Sequence, residues 1–132
     1  KLAKRYGIEK NLKLWGYREH KKSLQILQKM DALCLILDDR WSRSENTIGG
    51  KFYEYLRLKI PILAVVHEKG EAAKLIKKTN SGVIVSAKNQ EEVVRALQSL
   101  LIENNRFTWD NTEKYTRKYQ AAVLNDYLKS LI

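Results

Sequence analysis

Short unbroken apolar runs alternate along this chain with longer stretches in which apolar residues recur every three or four positions. Ala32-Leu33-Cys34-Leu35-Ile36-Leu37, Ile62-Leu63-Ala64-Val65-Val66 and Val83-Ile84-Val85 are of the first kind. Their length and texture are those of strands buried on both faces. Pro61 can open the second run, because it owes no ladder hydrogen bond there. Asn11-Leu12-Lys13-Leu14-Trp15 alternates polar and apolar, which predicts a further strand near the sheet edge.

The helical pattern fills the intervals. Lys1 to Glu9 reads as the last turns of a basic helix, stopped by Gly7. Leu24, Leu27 and Met30 predict an amphipathic helix over 21–30. Phe52, Tyr55 and Leu56 stripe a short helix over 51–58, and Ala72, Ala73, Leu75 and Ile76 make the small-residue face of the next. Val93, Val94, Leu97, Leu100 and Leu101 predict one side of another helix, broken at Asn104-Asn105-Arg106. Phe107-Thr108-Trp109 is expected to dock an aromatic pair on the body. Tyr115, Tyr119, Ala122, Val123 and Tyr127 stripe the final helix. Strands alternating with helices at this spacing imply right-handed crossovers and an α/β fold, with a Rossmann-like parallel sheet and helices on both faces. Ligands in such sheets bind beyond the carboxyl ends of the strands. Those ends are the segments 16–20, 38–50, 67–70 and 86–89.

The length of 132 residues suits one domain with a real core. No run approaches the ~18 apolar residues that span a bilayer, and the first residues contain no apolar signal-peptide region. The chain begins as if within a helix and without Met, so a piece of a longer protein is expected. Cys34 lies inside an apolar run and has no second cysteine to pair with; it is expected to be a buried structural thiol in a reducing compartment. The net charge of +10 fits a nucleic acid, an anionic membrane surface, a phosphorylated ligand, or simply a solvated lysine-rich exterior. His20 and His67 stand apart, so no zinc-type cluster is visible. Ser–His–Asp logic, a Walker phosphate loop and a Gly-x-Gly-x-x-Gly turn are also missing.

The richest chemistry lies in 44–66. A polar loop ends in Gly49-Gly50-Lys51, where backbone N–H groups can be bared to an anion at a helix N-terminus. Glu54 falls off the apolar stripe of the following helix, near the ligand end. Loop, helix start, carboxylate and buried strand together make a nucleotide pocket.

In one collinear order these residues resemble the C-terminal, donor-binding domain of a GT-B glycosyltransferase of the large retaining group 1 (GT4) family. Leu14-Trp15-Gly16-Tyr17, His20 and Asp31-Ala32-Leu33 resemble its strand, Gly turn, helix and following strand. Gly49-Gly50-Lys51-Phe52-Tyr53-Glu54-Tyr55-Leu56 with Pro61-Ile62-Leu63-Ala64 resembles the helix and strand that carry the second Glu of the family's E-x7-E motif. Gly82-Val83-Ile84-Val85 and Phe107-Thr108-Trp109 extend the match. The resemblance implies a Rossmann-like nucleotide-sugar-binding domain over 1–106 that lacks its first strands. Residues 107–132 would then be a C-terminal helix crossing back to an N-terminal acceptor domain.

The resemblance also implies roles. Glu54 would hold the ribose hydroxyls, as an ionised carboxylate can accept two hydrogen bonds from a vicinal diol. Asn46 stands where the family's commoner motif has its first Glu, and no role passes to the out-of-register Glu45. Thr47, Ile48 and Gly49 would turn backbone amides to the donor's phosphates and sugar, with Gly50 and Lys51 at the helix start; Lys51 is either a phosphate counter-charge or solvated. Gly16 and Tyr17 would border the base. His20 either meets a phosphate or, as favoured here, caps the next helix.

The expected function is therefore binding of a UDP- or GDP-linked sugar for glycosyl transfer to a lipid-linked or polysaccharide acceptor, without metal or other cofactor. The catalytic residues are not identifiable, and the chain alone is expected to be inactive. Placement would be cytoplasmic, peripheral on the inner face of the cytoplasmic membrane, with self-association as a way to complete the sheet. The competing reading is a basic α/β module for nucleic acid, disfavoured because the lysines are scattered and no aromatic strand pair of RNA-binding type is present.

Overall fold

The computed structural model describes residues 1–37, 44–103 and 106–132. Six α-helices and three strands are defined among them: α1 (Leu2–Arg5), α2 (His20–Leu27), β1 (Leu33–Ile36), α3 (Gly50–Leu58), β2 (Ile62–Val65), α4 (Glu71–Thr79), β3 (Gly82–Val85), α5 (Gln90–Ile102) and α6 (Arg117–Ser130). The three strands are parallel in the order β1-β2-β3, with Leu33, Ile62 and Gly82 aligned across the sheet. This is the expected α/β, Rossmann-like architecture.

Side-chain alternation splits the core in two. Leu33 and Leu35 of β1 and Ile62 and Ala64 of β2 pack with Phe52, Tyr55 and Leu56 of α3 and Ala72, Ala73 and Ile76 of α4. On the opposite face Leu63 and Val85 pack with Ala96 and Leu100 of α5 and with Phe107. β3 lies so close to β2 that a Cβ at Gly82 would collide with the Ile62 carbonyl. The helices stop where the sequence turns left-handed: α3 at Lys59 (φ 53°) and α4 at Asn80 (φ 46°). Phe107 is buried as expected. Its segment is tied down by hydrogen bonds from Thr108 N to the Asn80 carbonyl (3.2 Å) and from Asp110 N to the Thr79 carbonyl (2.7 Å).

Four expectations are corrected. Residues 11–15 form no strand: Glu9–Asn11 is a 3-10 turn and residues 12–15 are irregular, with Leu14 90% exposed. Alternation needs a neighbouring strand to become a ladder, and no described strand lies beside this segment. Cys34 is exposed rather than buried, because β1 is an edge strand. Cys34 and Ile36 point to the sheet face that α5 covers only over β2 and β3.

On α5 the inward stripe is Val93, Ala96 and Leu100, while Val94, Leu97 and Leu101 are exposed. A helix on one sheet face buries a narrower arc than the full set of its apolar residues. No residue of α6 is buried, a matter on which the sequence carried no expectation. Of its predicted stripe only Tyr115, in the preceding 3-10 turn, packs on the body, with its ring 6.3 Å from that of Tyr53. The helix that the 21–30 pattern predicts ends at Leu27, which leaves Met30 exposed. The predicted segment 38–43 and the break at 104–105 lie outside the described residues.

Candidate functional site

The site grows from the start of α3. Gly49 is the N-cap, with φ 78° and no side-chain cap hydrogen bond. A Cβ there would also stand 3.3 Å from Leu37 Cδ2, so glycine is favoured by the left-handed backbone, and a side chain would further need a small shift of Leu37. The amides of Gly50 and Lys51 are thereby set beside the carboxyl end of β1 with the positive end of the helix dipole behind them, while the Phe52 N–H donates to the Gly49 carbonyl at 3.2 Å. Between them and the strand is a cleft of about 320 Å³, lined by Cys34 to Leu37 and by Gly49, Gly50 and Lys51. A depression of about 370 Å³ on α5, lined by Gln90, Glu91, Val94 and Arg95, is larger. It lies on one helix surface, with no polar groups converging from a second element, so the β1–α3 cleft is the better ligand candidate.

The loop before Gly49 is held at both ends. Ile48 packs half-buried on the core under α3. Ser44–Asn46 forms a 3-10 turn, and Glu45 Oε1 lies 3.6 Å from His67 Nε2 at the end of β2. Asn46, Thr47, Gly50 and Lys51 are exposed, where a ligand could reach them.

One turn into α3, Glu54 leaves the buried stripe and points to the start of α2. Its Oε1 is 3.9 Å from His20 Nδ1, and its side chain is 39% exposed. His20 is thus the first residue of α2 and a neighbour of Glu54, whereas Glu19 occupies the N-cap position without a side-chain cap bond. The expected capping role for His20 is replaced by this pairing. Gly16 turns the chain just upstream with φ 62°, and Tyr17 is 96% exposed and packs on nothing buried. Next to Glu54, the Tyr55 hydroxyl donates to the Cys34 carbonyl at 3.5 Å. Burial pushes the Tyr55 phenol above its ordinary range, with smaller contributions from Cys34 and Glu54.

The fold therefore gathers Gly49, Gly50 and Lys51 in one cleft and sets Glu54 with His20 a turn away. Asn46, Thr47 and Tyr17 are exposed and do not line that cleft. The Glu45–His67 contact was missed in the sequence. A His at the carboxyl end of the central strand was its one available signal.

The family model for glycosyl transferases group 1 matches residues 1–121. The chain belongs to that family. No curated protein and no solved structure matches it. A three-stranded parallel sheet with helices on both faces agrees with a Rossmann-like domain of a group 1 glycosyltransferase. Among the described residues of this glycosyltransferase, no helix is long and apolar enough to cross a membrane. Nor do three His, Cys, Asp or Glu side chains gather as a metal-holding group there.

Proposed function

We propose that this group 1 glycosyltransferase domain binds a nucleotide-diphosphate sugar, with Glu54 as the ribose clamp. The observation that carries the reading is the place of Glu54. It is a partly exposed carboxylate one turn beyond the N-terminus of α3, whose first residues line the β1–α3 cleft, and it faces His20 at the start of α2. A carboxylate so placed accepts both hydroxyls of a ribose, while the α3 amides and Lys51 lie toward the diphosphate. The nucleobase would border Gly16 and Tyr17.

The finer assignment is a retaining, GT4-type transfer to a lipid-linked or polysaccharide acceptor. Departure of the diphosphate would be offset by Lys51 and the α3 dipole rather than by a metal. Asn46 in place of a motif Glu makes the sugar side the less ordinary half of the pocket. Calorimetric titration of the 132-residue protein with UDP and with GDP tests the reading. Saturable binding of one of them, unchanged by EDTA and lost in Glu54→Ala, is expected; no saturation with either overturns it.

A peripheral position on anionic membrane is the accompanying proposal. Leu2, Tyr6, Ile8, Leu12, Leu14 and Tyr17 are exposed among the lysines and arginines of the first 22 residues. That mixture of apolar and basic side chains suits an interfacial surface. Co-sedimentation with phosphatidylserine vesicles and release by salt is the expected result, and indifference to anionic lipid removes the proposal.

A further inference from the structure

We infer that Glu45, His67 and Gly70 form a latch that seats the 45–49 loop for the donor, which makes Glu45 and His67 positioning residues; this rests on the nucleotide-sugar reading above. The latch is built on the turn between β2 and α4. Gly70 N donates to the His67 carbonyl at 2.9 Å, closing that turn. His67 Nδ1 accepts from the Lys69 backbone N–H at 3.3 Å. The opposite ring nitrogen, Nε2, is thereby aimed at Glu45 Oε1, 3.6 Å away.

The backbone of Glu45 comes equally close. A Cβ on Gly70 would stand 3.2 Å from the Glu45 carbonyl oxygen, 3.4 Å from Glu45 Cα and 3.1 Å from the His67 carbonyl oxygen. Gly70 itself has φ −75° and ψ 164°, an extended backbone that any residue adopts. Glycine is therefore needed here for closeness and not for conformation. The turn is in turn anchored by Val66, which is 5% exposed and donates its N–H to the Val85 carbonyl at 3.4 Å.

The loop thus rests on the turn after the central strand at one end, through Glu45, and on the core at the other, through Ile48. An exposed ion pair alone contributes little, so the Gly70 approach is the larger part of the latch. A binding loop that is seated beforehand spares the ligand the cost of ordering it. Apparent affinity falls in proportion to the seated fraction.

The loop faces the diphosphate and sugar, whereas Glu54 and His20 face the nucleoside, and the test uses that division. Gly70→Ala and the double variant Glu45→Ala/His67→Ala are expected to weaken binding of the nucleoside diphosphate by roughly three- to tenfold, as for a loop seated between a third and a tenth of the time. Binding of the bare nucleoside, monitored by NMR titration, should be unchanged. Equal weakening of both ligands, or of neither, overturns the latch.

Hydrogen exchange without ligand supplies an independent reading. In Gly70→Ala the amides of 45–49 should exchange faster while those of β2 do not. If the unaltered protein binds no nucleoside diphosphate, the donor reading falls and exchange alone judges the latch. Unchanged protection of 45–49 would then overturn it.

Discussion

Glu54 Oε1 and His20 Nδ1 lie 3.9 Å apart, joining the middle of α3 to the first residue of α2. Both side chains are substantially exposed, so the pair adds little to stability. Its consequence is for ligands. Glu54→Gln is expected to weaken nucleotide binding about tenfold or more, because hydrogen bonds to an ionised group contribute about 1.5–3 kcal/mol. His20→Ala should cost less than Glu54→Gln. Calorimetry gives the two affinities. Thermal unfolding should show both variants within about 0.5 kcal/mol of the parent, as for surface changes generally.

Gly82 predicts the opposite balance. Its hydrogen occupies the only room left against the Ile62 carbonyl. Gly82→Ala has to push β3 away from β2 and should destabilise by about 1–3 kcal/mol or more, as overpacking does. Urea unfolding monitored by circular dichroism measures it, and an unaltered midpoint would contradict the packing.

Leu100 is fully buried on the α5 face, and Leu100→Ala should cost about 2–5 kcal/mol, the transfer loss plus the cavity. Leu101, its exposed neighbour, is the internal control. Leu101→Ala should stay within about 0.5 kcal/mol. A similar loss for both would mean that the exposed flank of α5 is covered in solution.

Alkaline pH tests the β1 edge. Burial raises the Cys34 thiol from 9.0 and the Tyr55 phenol from 10.0, although Cys34 is exposed as a residue; its sulfur is only partly screened by its neighbours. Both groups have folded pKa values above their unfolded ones, so the folded state holds these protons longer. Stability is then full below about pH 9 and falls as pH rises through 9 and 10. Cys34→Ser and Tyr55→Phe should each flatten the fall. Alkylation of Cys34 by iodoacetamide should go to completion but slowly at about pH 7, since only the thiolate reacts.

The kinds and order of most elements were legible in the chain itself. Leu33 to Ile36, Ile62 to Val65 and the Phe52–Tyr55–Leu56 stripe declare themselves through backbone periodicity, which depends on neighbours three or four residues away or fewer. The Gly49-Gly50-Lys51 turn and Glu54 were legible for the same reason, as local features of a loop entering a helix. Residues 11–15 show where local pattern stops deciding. Their alternation is that of a strand, yet a strand exists only where another offers its N–H and C=O groups.

Burial depended likewise on opposing layers. Cys34 is exposed because α5 stops short of β1, and the apolar residues of α6 have nothing described to pack against. The two contacts that shape the site, His20 with Glu54 and Glu45 with His67, join residues from different crossovers. No spacing rule encodes such pairs. They arise from how α2 and α3, and the loop before α3 and the turn after β2, come to lie at the same end of one parallel sheet.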